Sequence, residues 1–195
     1  MKKLMLIGAF AAFGVANAQT QEGNLMVGGD LVGANFGLNS GGGYNFQIAP
    51  KMAYFFKDNT ALGGYVNLGF SGAKDSPTTF IYNVGALGRH YFAQGEQGVD
   101  NFTRYGKWFL ETNVGIGGTS ISKGGASSNG LNFGFGPGYA YFLTPNVGLE
   151  GLIKYDANAG FGNIGYTHRI NFGLGFQVYL PTSKAKQIIK REENL

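Results

Sequence analysis

Residues 46–56 read FQIAPKMAYFF. In an extended chain Phe46, Ile48, Met52, Tyr54 and Phe56 share one side, and Asn45, Gln47 and Lys51 fall on the other, because successive side chains of a strand point to opposite faces. A soluble sheet hides the first set and wets the second. A barrel in lipid does the reverse, and the rest of the chain has to decide between them.

The same period of two recurs along most of the chain. Strands are expected over 25–36, 44–56, 60–71, 79–92, 107–120, 130–143, 147–156 and 165–180, separated by clusters of Gly, Asn, Asp, Ser and Pro. Eight is an even number, as a closed bacterial up-and-down barrel requires. One face continues with Leu62, Val66, Leu68 and Phe70, then Trp108, Leu110, Val114 and Ile116, then Ile170, Phe172, Leu174 and Phe176. The other carries Asp30, Asn67, Asn83, Asn113, Asn132, Asn171 and Gln177, interleaved with glycines and charges of both signs. A large, aromatic, nearly uncharged face belongs in lipid, and a small polar face belongs inside a narrow lumen that glycines leave open. The expected fold class is all-β: a single eight-stranded antiparallel up-and-down transmembrane β-barrel. Aromatic runs at strand ends, Tyr54-Phe55-Phe56, His90-Tyr91-Phe92 and Tyr139-Ala140-Tyr141-Phe142, are expected to form an interfacial girdle.

The chain opens MKKLMLIGAFAAFGVANAQTQ. Two lysines, a short apolar run and small residues before Gln19 make a secretory signal peptide with cleavage after Ala18. The expected division is residues 1–18 signal peptide, 19–180 outer-membrane β-barrel and 181–195 charged periplasmic tail. There is no cysteine, which removes lipid attachment, disulfides and thiolate metal sites. After Val15 no stretch approaches the ~20 apolar residues of a membrane-spanning helix, so any crossing is made by strands. The net charge of +4 belongs to the ends, since nine acids and nine bases balance between Gln19 and Leu180. No nucleic-acid partner is therefore expected.

Connections set the orientation. Lys57-Asp58-Asn59 and Thr144-Pro145-Asn146 are tight and read as periplasmic, whereas 37–43, 72–77, 122–129 and 157–164 are longer and read as extracellular. The link 93–106 is long where a short periplasmic turn is expected. An internal repeat aligns APKMAYFFKDNTALGG (49–64) with GPGYAYFLTPNVGLEG (136–151), matching Pro50 with Pro137 and Asn59 with Asn146. A proline cannot donate to a ladder, and apolar parity is unchanged across each proline. A local ladder break near the periplasmic rim is expected, without a one-residue bulge.

Ala49-Pro50-Lys51, Tyr54-Phe55, Asp58-Asn59, Ala61-Leu62-Gly63, Arg89-His90-Tyr91-Phe92 and Gly136-Pro137-Gly138 carry a family likeness. Through them the chain resembles the small outer-membrane β-barrel proteins of Gram-negative, Bacteroidota-type bacteria, with OmpX/OmpA-type and OmpW-type architecture. The resemblance covers most of residues 25–180. It implies outer-membrane lipid and the barrel-assembly machinery as partners, and it says almost nothing of activity. Phe176 and Tyr179 in INFGLGFQVYL look like the terminal aromatic assembly signal of such families, here made internal by the tail PTSKAKQIIKREENL.

Lys51, Arg89, Glu111, Glu150, Lys154 and Arg169 are the candidate lumenal polar network. They can be a salt-bridge network or a conduction path; an interior only wide enough for side chains favours the first, and buried charges must pair. His90 and His168 fall on the lipid-facing parity as rim residues, with no serine or acid in register for catalysis. The strings Gly41-Gly42-Gly43 and GIGGTS lack the Lys-Ser/Thr and helix of a phosphate loop. No catalytic residue, cofactor or metal site is expected, and the extracellular ligand stays unnamed. The reading is a structural or surface-binding outer-membrane barrel with a filled lumen. A narrow pore or carrier for small solutes is the alternative, and a soluble lipocalin-like barrel survives only if the faces are reversed.

Overall fold

The structure, a computed structural model, describes residues 18–38, 42–92, 106–125, 127–161 and 165–182. The signal-peptide reading, most of the link 93–106 and nearly all of the tail lie outside those residues.

A short 3-10 turn, Ala18–Thr20, precedes eight antiparallel strands: β1 Asn24–Phe36, β2 Tyr44–Lys57, β3 Thr60–Gly72, β4 Thr79–Tyr91, β5 Gly106–Ile121, β6 Ser128–Thr144, β7 Val147–Gly160 and β8 Tyr166–Pro181. Each pairs with its sequence neighbour, and β8 returns to β1 to close the barrel. Closure leaves few backbone groups without ladder partners, as hydrocarbon demands. The strands are longer than the 9–11 residues that cross a bilayer, so their ends stand clear of it. β7 runs on to Gly160, into the segment 157–164 expected to be loop, because residues 157–159 keep pairing with both neighbouring strands and Gly160 with β6.

The faces divide as the alternation requires. Met52, Leu62, Val84, Val114, Phe133, Ile153 and Phe172 point out, while Lys51, Arg89, Glu111 and Glu150 are buried inside. An apolar belt that wraps the outside excludes the soluble alternative, in which those side chains would line a pocket.

Both prolines sit at gaps in a ladder, and the register is unchanged across them. Between β2 and β3 the pairs run Ile48↔Leu68 and then Lys51↔Tyr65, skipping Ala49 and Pro50. Between β6 and β7 they run Phe135↔Tyr155 and then Gly138↔Leu152, skipping Gly136 and Pro137. On their other sides Pro50 faces Gly29 and Pro137 faces Leu110 in unbroken register. The missing N–H is thus turned to one neighbour only. The gaps lie at mid-strand rather than near the periplasmic rim, which corrects the expected position. The duplicated hairpin has kept its break along with its turn, where Asn59 adopts φ 60°, a conformation that asparagine tolerates better than most residues.

Two features escaped the period-two reading. β1 bulges between Leu31 and Gly33, which moves its inward side chains from even to odd positions. β1 and β8 pair from Asn24↔Pro181 to Leu31↔Leu174, and among the described residues no pair follows, although both strands continue.

Candidate functional site

The lumen is filled in layers, and the layer at the end that carries the tight turns 58–59 and 145–146 is apolar. Met26, Phe55, Tyr91, Phe109, Phe142 and Tyr179 are buried there, and Leu87 and Leu152 extend the apolar cluster past the ion pairs on β4 and β7. Phe55, Tyr91 and Phe142 were expected in the girdle. They belong inside, because in each aromatic run only alternate residues can face lipid; Tyr54 and Phe56, His90 and Phe92, and Tyr139 and Tyr141 take the outer positions. Phe55 packs on Tyr91 and Tyr179 with ring centroids 5.9 and 6.3 Å apart, and Phe142 on Tyr179 at 5.4 Å. Gly138 makes room for this layer: a Cβ there would lie 2.2 Å from Phe109 Cζ. The inner face is therefore not uniformly small and polar.

The short segment ahead of β1 seals the layer from below. Thr20 Oγ1 donates to Asn59 Oδ1 at 2.6 Å, and the backbone N–H of Asn59 donates to the Thr20 carbonyl at 2.7 Å. Lys107 Nζ donates to Thr20 Oγ1 and Asn59 Oδ1 at 2.8 and 3.0 Å. The tight turn after β2 is thereby tied to β5 through the segment ahead of β1.

Above the aromatics lies the ionic layer, and five of the six candidate charges meet in it. Lys51 Nζ stands 2.6 Å from Asp30 Oδ2 and 2.9 Å from Glu111 Oε2. Arg89 donates through Nε and Nη2 to Glu111 and through Nη1 to both Glu150 oxygens at 2.7 Å. Its guanidinium also stacks 4.1 Å over the Phe109 ring. Lys154 lies at the edge, 3.9 Å from Glu111 and 3.8 Å from Asp156. Three carboxylates, Asp30, Glu111 and Glu150, thus face Lys51, Arg89 and Lys154. Arg169 stands apart at the exposed mouth opposite the tight turns, in register with Asp156 on β7.

Asp30, Tyr91 and Tyr179 are members that the candidate network lacked. Tyr179 Oη donates to Glu150 Oε1 at 2.9 Å and lies 2.8 Å from Tyr91 Oη. Tyr179 is therefore a lumenal residue, on the face opposite Phe176, which points outward at 50 % exposure. The odd spacing of the two residues was the available signal for this separation. For Asp30 it was its place on the polar face opposite Lys51.

Amides fill the next layer. Tyr65 Oη lies 2.9 Å from Asn83 Oδ1 and 3.0 Å from Asn132 Oδ1, Asn113 Nδ2 donates to Tyr65 Oη at 3.0 Å, and Asn132 donates to Asn158 at 3.0 Å. Beyond them the barrel opens into a cup of about 180 Å³ with a mostly polar lining. The two histidines are outside. His90 Nδ1 lies 3.0 Å from Thr60 Oγ1, and His168 Nδ1 lies 2.5 Å from Tyr155 Oη, so each has a hydroxyl partner rather than a carboxylate.

No family model and no curated protein matches the chain. Solved structures resembling it include the neisserial surface protein A, NspA, at 19 % identity and TM-score 0.46, over 82 % of this chain and 96 % of that one. Ail, the attachment invasion locus protein of Yersinia pestis, matches at 16 % identity and TM-score 0.46, over 82 % and 100 %. The outer membrane protein OprG of Pseudomonas aeruginosa matches at 11 % and 0.49, over 85 % and 99 %. The class is defined by the barrel's own surfaces: eight closed strands, an apolar belt outside and a polar, charge-paired interior make a transmembrane β-barrel of the outer-membrane type.

Proposed function

We propose that the chain is an outer-membrane protein of a Gram-negative bacterium whose barrel is a sealed anchor. It presents its extracellular mouth and loops for binding, and it neither conducts solutes nor catalyses a reaction. The observation that carries this reading is the occlusion of the lumen. Arg89 from β4 joins Glu111 from β5 and Glu150 from β7, while Tyr179 from β8 meets Tyr91 from β4. Beneath them lie Phe55, Phe109 and Phe142. A solute crossing here has to part buried ion pairs and an aromatic layer together, which weighs against the narrow pore. The histidine partners, both hydroxyls on the outer face, weigh against a hydrolase.

Insertion would proceed through the usual barrel-assembly machinery, with Phe176 on the outward face of the last strand available to it. Reconstitution into planar bilayers tests the sealed lumen. The wild-type barrel is expected to show no steady conductance, and the double substitution Tyr91→Ala with Tyr179→Ala is expected to open one. Steady conductance of the wild type would restore the pore reading.

A further inference from the structure

Cleavage after Ala18 leaves Gln19 at the head of the exported chain, and Gln19 is built into the base of the barrel. It is 5 % exposed, and its side-chain Oε1 is buried with no hydrogen-bond partner among the described residues. Its carbonyl accepts from Asn24 Nδ2 at 3.1 Å. Thr20, the next residue, is buried and accepts from the Lys107 ammonium through Oγ1.

The cut also creates an α-ammonium at this position. It would stand one residue from Thr20, whose hydroxyl already holds a buried cation, and the second acceptor of Lys107, Asn59 Oδ1, is likewise neutral. The acids of this corner are not buried with it: Asp58 is exposed and Glu22 half-buried, and Asp58 Oδ1 accepts from the Glu22 backbone N–H at 2.8 Å. The buried carboxylates Asp30, Glu111 and Glu150 lie above the aromatic layer and are already paired with Lys51 and Arg89. A second cation enclosed beside Lys107 would have no buried acid of its own, and an unpaired buried charge is costly.

Glutamine carries the means to remove that charge. We propose that Gln19 is a modification site, converted after cleavage to its five-membered lactam, pyroglutamate. The α-nitrogen, as the free amine, attacks the side-chain amide carbon. The new C–N bond closes the ring, the bond to Nε2 breaks, and Nε2 leaves as ammonia with the proton given up by the amine. Oε1 stays as the lactam carbonyl, and no oxidant, reductant or cofactor is consumed. The ring closes before the barrel does, because the closed barrel buries Gln19. A neutral start then docks under the aromatic layer, where Thr20 and Asn59 serve Lys107 alone. This rests on the export and cleavage reading and is independent of whether the lumen is sealed.

The test is mass spectrometry of the full mature protein taken from the cells that make it. Freshly isolated membranes are denatured and their amines dimethylated at once, which traps any free α-amine before handling can cyclise it. The first peptide is expected to begin at position 19, to be lighter than its sequence by one ammonia and to carry no label at its α-nitrogen. Gln19→Asn, whose shorter side chain closes no five-membered ring in this way, is expected to begin at the same position with a labelled α-amine. A chain beginning at a labelled Gln19 would overturn the lactam and leave the cleavage reading standing. So would a lactam found only when the labelling step is omitted. A chain beginning at any other residue would overturn the cleavage reading and the lactam with it.

Discussion

Arg89 Nη1 stands 2.7 Å from each carboxylate oxygen of Glu150, so a guanidinium on β4 is held by an acid on β7 across the lumen. Both side chains are essentially fully buried. Removing one partner strands the other charge away from water, which typically costs about 3–5 kcal/mol. Arg89→Leu and Glu150→Leu are each expected to lower stability by that order in urea unfolding of the lipid-embedded barrel. The double variant Arg89→Leu/Glu150→Leu is expected to lose less than the sum, because no unmatched charge is left between these two positions.

Gly138 and Phe109 form a second cross-strand dependency. The ring of Phe109 occupies the space that a Cβ at 138 needs, and overpacking of this kind costs about 1–3 kcal/mol. Gly138→Val is expected to destabilise the barrel by at least that much. In the Phe109→Ala background the same substitution is expected to cost less, and a double-mutant cycle in urea reads the difference.

On the outer face the sign of polarity reverses. Val114, 54 % exposed near the middle of β5, faces hydrocarbon, and an arginine at such a depth costs about 2–4 kcal/mol. Val114→Arg is expected to lower unfolding stability in lipid by that amount. Asn129→Arg at the wet mouth is expected to leave it nearly unchanged.

Asn59 joins turn geometry to the lower seal. Its positive φ suits asparagine, and its side-chain oxygen accepts from both Thr20 and the buried Lys107 ammonium. Asn59→Gly keeps the turn and removes that acceptor, which is expected to cost about 1–3 kcal/mol. Combining it with Lys107→Met is expected to restore part of the loss, as measured by urea titration.

The alternation around FQIAPKMAYFF was enough to read the barrel, because a period of two assigns every side chain to lipid or lumen at once. The paired prolines of the duplicated hairpin likewise announced ladder gaps, and their places at the centres of the expected strands 44–56 and 130–143 already pointed to mid-strand rather than to the rim. The plug was harder to read. Phe55, Tyr91 and Phe142 each stand beside outward aromatics, and composition alone blends the two faces; strict parity separates them. Lys51, Arg89, Glu111 and Glu150 were readable as lumenal, but their pairing depends on the stagger between distant strands, as does the exclusion of Arg169. The β1 bulge and the half-open seam leave no comparable mark, since Val32 is an ordinary apolar residue in an apolar strand.

The central claim is that the apolar face meets lipid and the polar face is enclosed. Its most direct measurement is membrane fractionation of the full-length protein, with the fraction run on a gel before and after boiling. An outer-membrane band whose migration shifts on boiling is the predicted result. A soluble periplasmic protein with no such shift would contradict the account, since the exposed belt of Val84, Val114, Phe133, Ile153 and Phe172 would then have no lipid to meet.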